Sequence, residues 1–264
     1  MGRPLIQSTA NDKVKYVRTL ERRRTREKEG RFVAEGMRVV EDAARAGCVP
    51  ALVFFTPDVE ETPRGRALLQ RLSAATPEVY PVSAAVMAVA SDTVAPQGIL
   101  AVCPIVELKP RRDFLWLVLD GIQDPGNLGT LLRSAEAAGV DRVWMAPGTV
   151  DAFGAKVVRA GAGVHFRLPL VRRSWAEIAR ALQGRPVRLA EEGSALAYDN
   201  VDWRRPAALV VSNEGSGPSD EARHAATECI SIPMQGGADS LNVGVAASVI
   251  LFEAARQRRA ASST

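Results

Sequence analysis

The chain of 264 residues contains only two histidines, His165 and His224, and three cysteines, Cys48, Cys103 and Cys229. The cysteines are far apart and odd in number, which excludes a disulfide framework and points to reduced thiols in a cytoplasm. With no paired cysteines and no clustered histidines, a zinc site has no ligand set, and no metal is expected. No apolar run approaches the ~20 residues of a membrane-spanning helix. The opening stretch, MGRPLIQSTANDK, lacks the apolar segment of a secretory signal. No G-x-x-x-x-G-K-[ST] occurs, which excludes a P-loop NTPase, and no G-x-G-x-x-G follows a strand pattern, which argues against a dinucleotide site. No G-x-S-x-G elbow is present either, and neither histidine has the surroundings of a general base for a serine or cysteine nucleophile.

Excess positive charge is lacking from most of the chain. The formal net charge is +4, yet residues 1–31 hold ten Lys or Arg against four Asp or Glu, leaving 24 against 26 in the rest. Clustered cations attract phosphate backbones. Arg22, Arg23, Arg24, Arg26 and Lys28 are therefore the candidate nucleic-acid-binding residues. The plain alternative is a solvated helix face laced with Glu21, Glu27 and Glu29.

Periodicity divides the chain. Asn11 or Asp12 caps a helix running to about residue 27, with Val14, Val17 and Leu20 at helical spacing and Gly30 as its stop. RFVAEG reads as a strand, MRVVEDAARAG as a helix ended by Gly47, ALVFFT as a buried strand, and residues 64–74 as a helix. Residues 78–82, a short helix around Met87, and residues 98–106 complete a small α/β sandwich, assigned to residues 1–105. The polar, proline-containing VELKPRRD, residues 106–113, is the linker. Residues 114–264 form the second domain. FLWLVLD is an almost continuous apolar run, the signature of a strand covered on both faces. A helix over 128–138 closes at Gly139; RVWMAP, FRLPLV, VRLAEE, AALVVSN and CISIPM are further strands. FGAKVVRAGAGV and residues 175–183 and 219–226 are helices. This alternation predicts an α/β fold with a mostly parallel sheet covered on both sides.

Ligands in such folds collect in loops at the carboxyl ends of strands. Three loops there are rich in Gly, Asn and acidic residues: GIQDPGNLGT, SNEGSGPS and QGGADSLN. In the first, Asn127 and Arg133 lie six residues apart. If Asn127 caps the helix, Arg133 lies nearly two turns up and leans back toward its start. The plain alternatives are an ordinary N-cap and a surface cation. In the second, Glu214 follows a buried strand directly, where a carboxylate needs a partner or serves as a turn residue. In the third, Ser240 and Asn242 offer a hydroxyl and an amide beside the free N–H groups of the last helix. Taken alone, residues 230–259 read as a strand, a loop and a closing helix whose Val245, Val249 and Phe252 seek a core.

Together the loops carry more. LDGIQDPGNLGTLLRSAEAAGVDRV, VVRAGAGVHFRLP, LVVSNEGSGPS and ISIPMQGGADSLNVGVAAS resemble, in order, the motifs of the SpoU–TrmH branch of the SPOUT methyltransferases. NDKVKYVRTLERRRTREKEGRFVAEGMRVVED resembles the substrate-binding domain often joined to them, so the resemblance covers most of the chain. It implies transfer of a methyl group from S-adenosylmethionine to a ribose 2′-oxygen of RNA. It also implies a SPOUT domain with a C-terminal trefoil knot, and a homodimer with the site near the subunit interface. Catalytic roles fall on Arg133, Asn127, Glu214, Ser240 and Asn242. Cofactor contacts fall on Ser212, Gly215, Ile232, Met234 and Leu241, with residues 235–240 bending round the cofactor and Gly236 and Gly237 giving the backbone room. The chain departs from the pattern at Ser212, where Gly is usual, and at Gly244, where Ser is usual. GTVDAFGAKVVRAGAG also lacks the Pro and Ser often seen there.

A sulfonium methyl is already activated, so such an enzyme mainly aligns donor and acceptor. The resemblance assigns the 2′-hydroxyl proton to Arg133. A guanidinium stays charged at ordinary pH, so the milder role is a clamp on an RNA phosphate that stabilises the developing alkoxide. Asn127, Ser240 and Asn242 then position the ribose or Arg133, and Glu214 orients them. Within this class 23S ribosomal RNA is the first expectation, because the appended domain accompanies rRNA enzymes, and transfer RNA is the alternative. Outside it stand a non-catalytic RNA-binding protein on the same fold and a dehydrogenase or nucleotide enzyme.

Overall fold

The basic N-terminal stretch folds as two helices where one was expected: α1 (Asp12–Thr19) and α2 (Arg23–Glu29). Arg26 explains the break. Its Nη1 donates to the carbonyls of Leu20 and Glu21, both at 2.7 Å, and so satisfies oxygens that the end of α1 leaves unpaired. Its Nε and Nη2 donate to Asp151 Oδ2 at 3.0 and 2.5 Å. Arg26 is 6% exposed. It is a structural residue, and its place among the candidate RNA-binding cations is corrected accordingly.

In this computed structural model residues 3–110, 112–213, 215–236 and 240–261 are described. After α2 come β1 (Arg31–Glu35), α3 (Met37–Arg45), β2 (Leu52–Phe55), α4 (Pro57–Glu61), α5 (Pro63–Ala75), β3 (Val79–Pro81), α6 (Ala84–Ala90) and β4 (Ile99–Pro104). The next elements are β5 (Leu115–Asp120), α7 (Pro125–Ala138), β6 (Arg142–Met145), α8 (Ala155–Gly161), a 3-10 turn (Val164–Phe166), β7 (Leu170–Arg172) and α9 (Trp175–Ala181). The chain closes with β8 (Val187–Ala190), β9 (Leu196–Ala197), β10 (Ala207–Ser212), α10 (Asp220–Ala225), β11 (Glu228–Ser231) and α11 (Val243–Ala261). Among the described residues no helix is long and apolar enough to cross a membrane.

Two compact units result, Met1–Val106 with Asp151–Arg167, and Glu107–Val150 with Leu168–Thr264. The first is built on the sheet β1-β4-β2-β3, antiparallel except for the β2–β3 pair. Successive side chains point to opposite faces. Phe55, Ile99 and Ala101 therefore join Phe32, Val40 and Leu72 on one side, while Phe54, Leu100 and Val102 join Val14, Val17 and Met87 on the other. A second domain running unbroken from residue 114 was the expectation. Instead, residues 151–167 cluster with the first unit, because Val158, Phe153 and Phe166 fill the Phe32 side of its core. His165 is buried there beside Phe32 and Phe153, and its Nε2 meets the Ala152 carbonyl at 2.7 Å. Burial pushes its pKa down to about 4.

The second unit carries seven strands in the order β7-β6-β5-β10-β8-β11-β9, every pairing parallel. All six residues of β5 are buried, as a doubly covered strand requires. Trp116, Val118, Leu189 and Val210 form a core with Trp175 and Ile178 of α9 and Ala222 of α10. On α7 and α11, which pack against each other, Leu128, Leu131, Leu132 and Ala135 are buried, as are Ala247, Ile250, Leu251 and Ala254. Val245 and Phe252, expected in the core, are 48% and 46% exposed.

Local chemistry sets the ends of the elements that matter for function. β11 stops at Ser231, short of Pro233, which has no N–H for a ladder. Of the expected strand FRLPLV only Leu170 and Val171 are in a strand, β7, which runs one residue further to Arg172. α7 opens with Pro125 at its first position, and Asp124 caps it by accepting from Asn127 N at 2.7 Å. Asn127 is therefore an early helical residue and not the cap. Gly139 ends α7 in the left-handed region at φ 77°, and Arg258 of α11 donates to the Ala138 carbonyl at 2.7 Å.

Candidate active site

The three polar loops leave the carboxyl ends of β5, β10 and β11 in the all-parallel sheet. Parallel pairing of β5 with β10 sets Asp120 beside Ser212, so the first two loops start side by side. Asn213 then binds them together. Its N–H donates to the Asp120 carbonyl at 3.1 Å and its Nδ2 to the Gly121 carbonyl at 3.2 Å. Its Oδ1 accepts from Gly215 N at 2.7 Å and Ser216 N at 3.3 Å, which turns the second loop tightly. Glu214 lies outside the described residues.

The third loop meets the first directly. Asn242 Nδ2 donates to Asn127 Oδ1 at 2.9 Å across 115 residues of chain. Asn242 Oδ1 accepts from Gly244 N at 3.0 Å, and its carbonyl accepts from Ala246 N at 2.9 Å. Asn242 thus starts α11 while its amide group reaches α7. The close approach of the two helices needs a small residue at 244. A Cβ there would sit 3.1 Å from Thr130 Cγ2. One turn on, Ser248 Oγ donates to Ser134 Oγ at 2.7 Å.

Beside this junction lies a cavity of about 360 Å³, within the range that holds a small-molecule cofactor. Ile230, Ile232, Leu241, Val243 and Ile250 give it apolar walls; Ser212, Asn213, Ser240, Glu191 and Glu192 give it polar ones. Arg223 also lines it and pairs with Glu191. Such a cleft accommodates a flat apolar ring against the aliphatic wall, with hydroxyl or cationic groups toward the carboxylates.

Of the residues expected at the cofactor, Ser212, Ile232, Met234 and Leu241 line the cavity, as does Ser240. Gly215 is not part of its wall, and its N–H is taken by Asn213. Arg133 is exposed on α7, with no hydrogen bond or ion pair among the described residues, and does not line the cavity. Arg22, Arg24 and Lys28 are exposed, and Arg23 is also exposed but bonded to Glu27 at 2.7 Å. Glu191, Glu192, Asn213 and Arg223 were not singled out from the sequence. Glu191 and Glu192 had a signal, since two adjacent carboxylates follow β8 at the ligand-binding edge of the sheet.

Comparison with known proteins agrees with this geometry. Residues 115–252 match the SpoU rRNA Methylase family, and residues 11–101 match the MRM3-like substrate binding domain. The chain is 34% identical to the 23S rRNA (guanosine(2553)-2'-O)-methyltransferase RlmP of Bacillus subtilis (strain 168), over 94% of this chain and 97% of the relative. It is 32% identical to the 23S rRNA (uridine(2479)-2'-O)-methyltransferase of Streptomyces viridochromogenes, over 89% of this chain and 86% of the relative. The crystal structure of AdoMet-bound rRNA methyltransferase from Sinorhizobium meliloti has a TM-score of 0.84 at 27% identity, covering 96% of this chain and 97% of that one. On the extent of these matches, the chain belongs to the SpoU rRNA methylase family.

Proposed function

We propose that the protein methylates a ribose 2′-hydroxyl of 23S ribosomal RNA, using S-adenosylmethionine. The observation that carries this reading is the Asn127–Asn242 contact at 2.9 Å, which joins the first and third motif loops beside the cavity. The cavity suits the cofactor. Ile232, Leu241 and Ile250 would hold its adenine, and Ser212, Glu191 and Glu192 would receive its hydroxyl and ammonium groups. Bound there, S-adenosylmethionine supplies an activated sulfonium methyl.

The chain's own residues do the rest. The amides of Asn127 and Asn242 and the Ser240 hydroxyl position the ribose. Arg133 clamps an RNA phosphate and stabilises the charge that develops on the 2′-oxygen. Glu214 orients these groups. Arg22, Arg23, Arg24 and Lys28 supply affinity for the RNA backbone.

Two further features belong to this reading. The exposed Val245 and Phe252 lie two turns apart on α11 with the partly buried Val249 between them, and this apolar stripe is the face assigned to a second copy in a homodimer. The trefoil knot that the family resemblance implies also belongs to this reading; β11 lies one strand in from the sheet edge and α11, which follows it, packs on α7. The relatives' 23S names and the substrate-binding match favour rRNA over tRNA, and a cytoplasmic setting accords with three free cysteines.

The test is methyl transfer from labelled S-adenosylmethionine to 23S rRNA by wild type and Arg133→Ala. The variant is expected to lose at least a hundredfold in turnover while its cofactor affinity stays within twofold. Unchanged turnover removes Arg133 from the site.

A further inference from the structure

Asp120 is buried, 5% exposed, at the last position of β5. Its carboxylate accepts four hydrogen bonds. Trp175 Nε1 at 3.2 Å and Ser219 Oγ at 3.0 Å donate to Oδ1. Ser212 Oγ at 3.2 Å and Ser219 N at 2.8 Å donate to Oδ2. A buried anion needs such donors, and charge-assisted bonds are the strong ones.

Where the donors come from is the informative part. Ser212 ends β10 and Ser219 caps α10, its Oγ also accepting from Ala222 N at 3.1 Å. Between them runs the second motif loop, which contributes Asn213, Gly217 and Pro218 to the cavity wall. The carboxylate therefore ties both ends of that loop to one point. Asp120 does not itself line the cavity. Ser212 adds a side-chain tie that a glycine at this position would lack.

We propose that Asp120 is a positioning residue that holds the second motif loop in its cofactor-binding shape. This rests on the methyltransferase reading above. The loop is short and polar, and its internal bonds, such as Gly217 N to the Asn213 carbonyl at 2.9 Å, fix its turn but not its seat. Asn213 anchors the start of the loop to the Asp120 and Gly121 carbonyls, and the Asp120 carboxylate completes the seat by holding Ser212 and the far end at Ser219. Without it the cavity wall samples other positions, and the cofactor meets a site that is formed only part of the time.

The test uses the full chain as wild type, Asp120→Asn, Ser219→Ala and Ser212→Gly. S-adenosylmethionine affinity is read by titration calorimetry, and kcat and KM by methyl transfer to 23S rRNA. Asparagine keeps the shape of Asp120 but offers one acceptor oxygen and turns an NH₂ group toward two donors. Asp120→Asn is expected to weaken cofactor binding at least tenfold, leaving kcat at saturating cofactor and KM for RNA within twofold. Ser219→Ala, which keeps the charge, weakens it about threefold or more, Ser212→Gly less, and the Asp120→Asn/Ser219→Ala pair binds no worse than Asp120→Asn. Cofactor affinity within twofold of wild type in Asp120→Asn overturns the proposal, as does an equal loss in kcat and RNA KM. If Asp120→Asn does not fold, unchanged affinity in Ser219→Ala overturns it. A wild-type chain that binds no S-adenosylmethionine overturns the functional reading and the proposal together, so the wild-type titration tells the two failures apart.

Discussion

Arg24 and Arg26 are two residues apart in one basic run, and the fold gives them opposite surroundings. Arg24 is exposed; Arg26 is buried against Asp151 and two carbonyls. Removing one partner of a buried ion pair leaves the other uncompensated, at a cost of about 3 kcal/mol. Arg26→Ala is therefore expected to lose about that much stability, measured by urea denaturation, whereas Arg24→Ala stays within ~0.5 kcal/mol and instead weakens RNA binding. His165 makes a second prediction at this scale. Its pKa is lowered to about 4 in the fold from an ordinary 6.5, so the unfolded chain binds the proton first. Its contribution is fully present above pH 6.5 and is lost as pH falls toward 4, by roughly 3 kcal/mol in all. Urea midpoints taken down this range fall steeply for wild type and less for His165→Phe; parallel curves would contradict the assignment. Counting charges told neither fate, because a sequence shows a cation but not its burial. Side-chain type did better at the loops. Asn127 stood out with Arg133 and Asn242 with Ser240, each at a helix start on the ligand edge of a parallel sheet, whereas the contact between Asn127 and Asn242 became visible only in the fold.

Among the elements, strongly patterned ones were readable and weakly patterned ones were not. β5 announced itself as a continuous apolar run, and α7 by its spacing and Gly139. β9 has two residues and no period to detect, and α4 is a single short turn of helix opened by Pro57. The helix predicted over residues 11–27 is two, because a tertiary ligand for the Leu20 and Glu21 carbonyls made the break favourable. α11 shows why periodicity misleads. Val245 and Phe252 follow helical spacing as well as core residues do, yet they face outward. The contact between α7 and α11 supplies the element-scale prediction. Gly244→Ala improves helix propensity by up to ~1 kcal/mol but sets a Cβ 3.1 Å from Thr130 Cγ2. The double variant Gly244→Ala/Thr130→Ala should be more stable than the two single effects sum to, by about 1 kcal/mol of coupling. Simple additivity in a thermal or urea double-mutant cycle would show that the helices are not held that closely.

For the whole molecule, strand–helix alternation gave the fold class, and the loops at strand ends gave the candidate site. Strand order was not legible. β10 lies between β5 and β8 although it follows both in sequence, and no local pattern records that. Nor was the return of residues 151–167 to the first unit, since Phe153, Val158 and Phe166 look like any apolar triplet until Phe32 is beside them. The activity proposed for the chain is methylation of a ribose in ribosomal RNA. Mapping 2′-O-methylation across total RNA from cells with and without the protein tests it most directly. Loss of one 2′-O-methyl mark in 23S rRNA, restored by wild type and not by Arg133→Ala, is the predicted result. An unchanged 23S rRNA map, or a mark lost from tRNA instead, would contradict it.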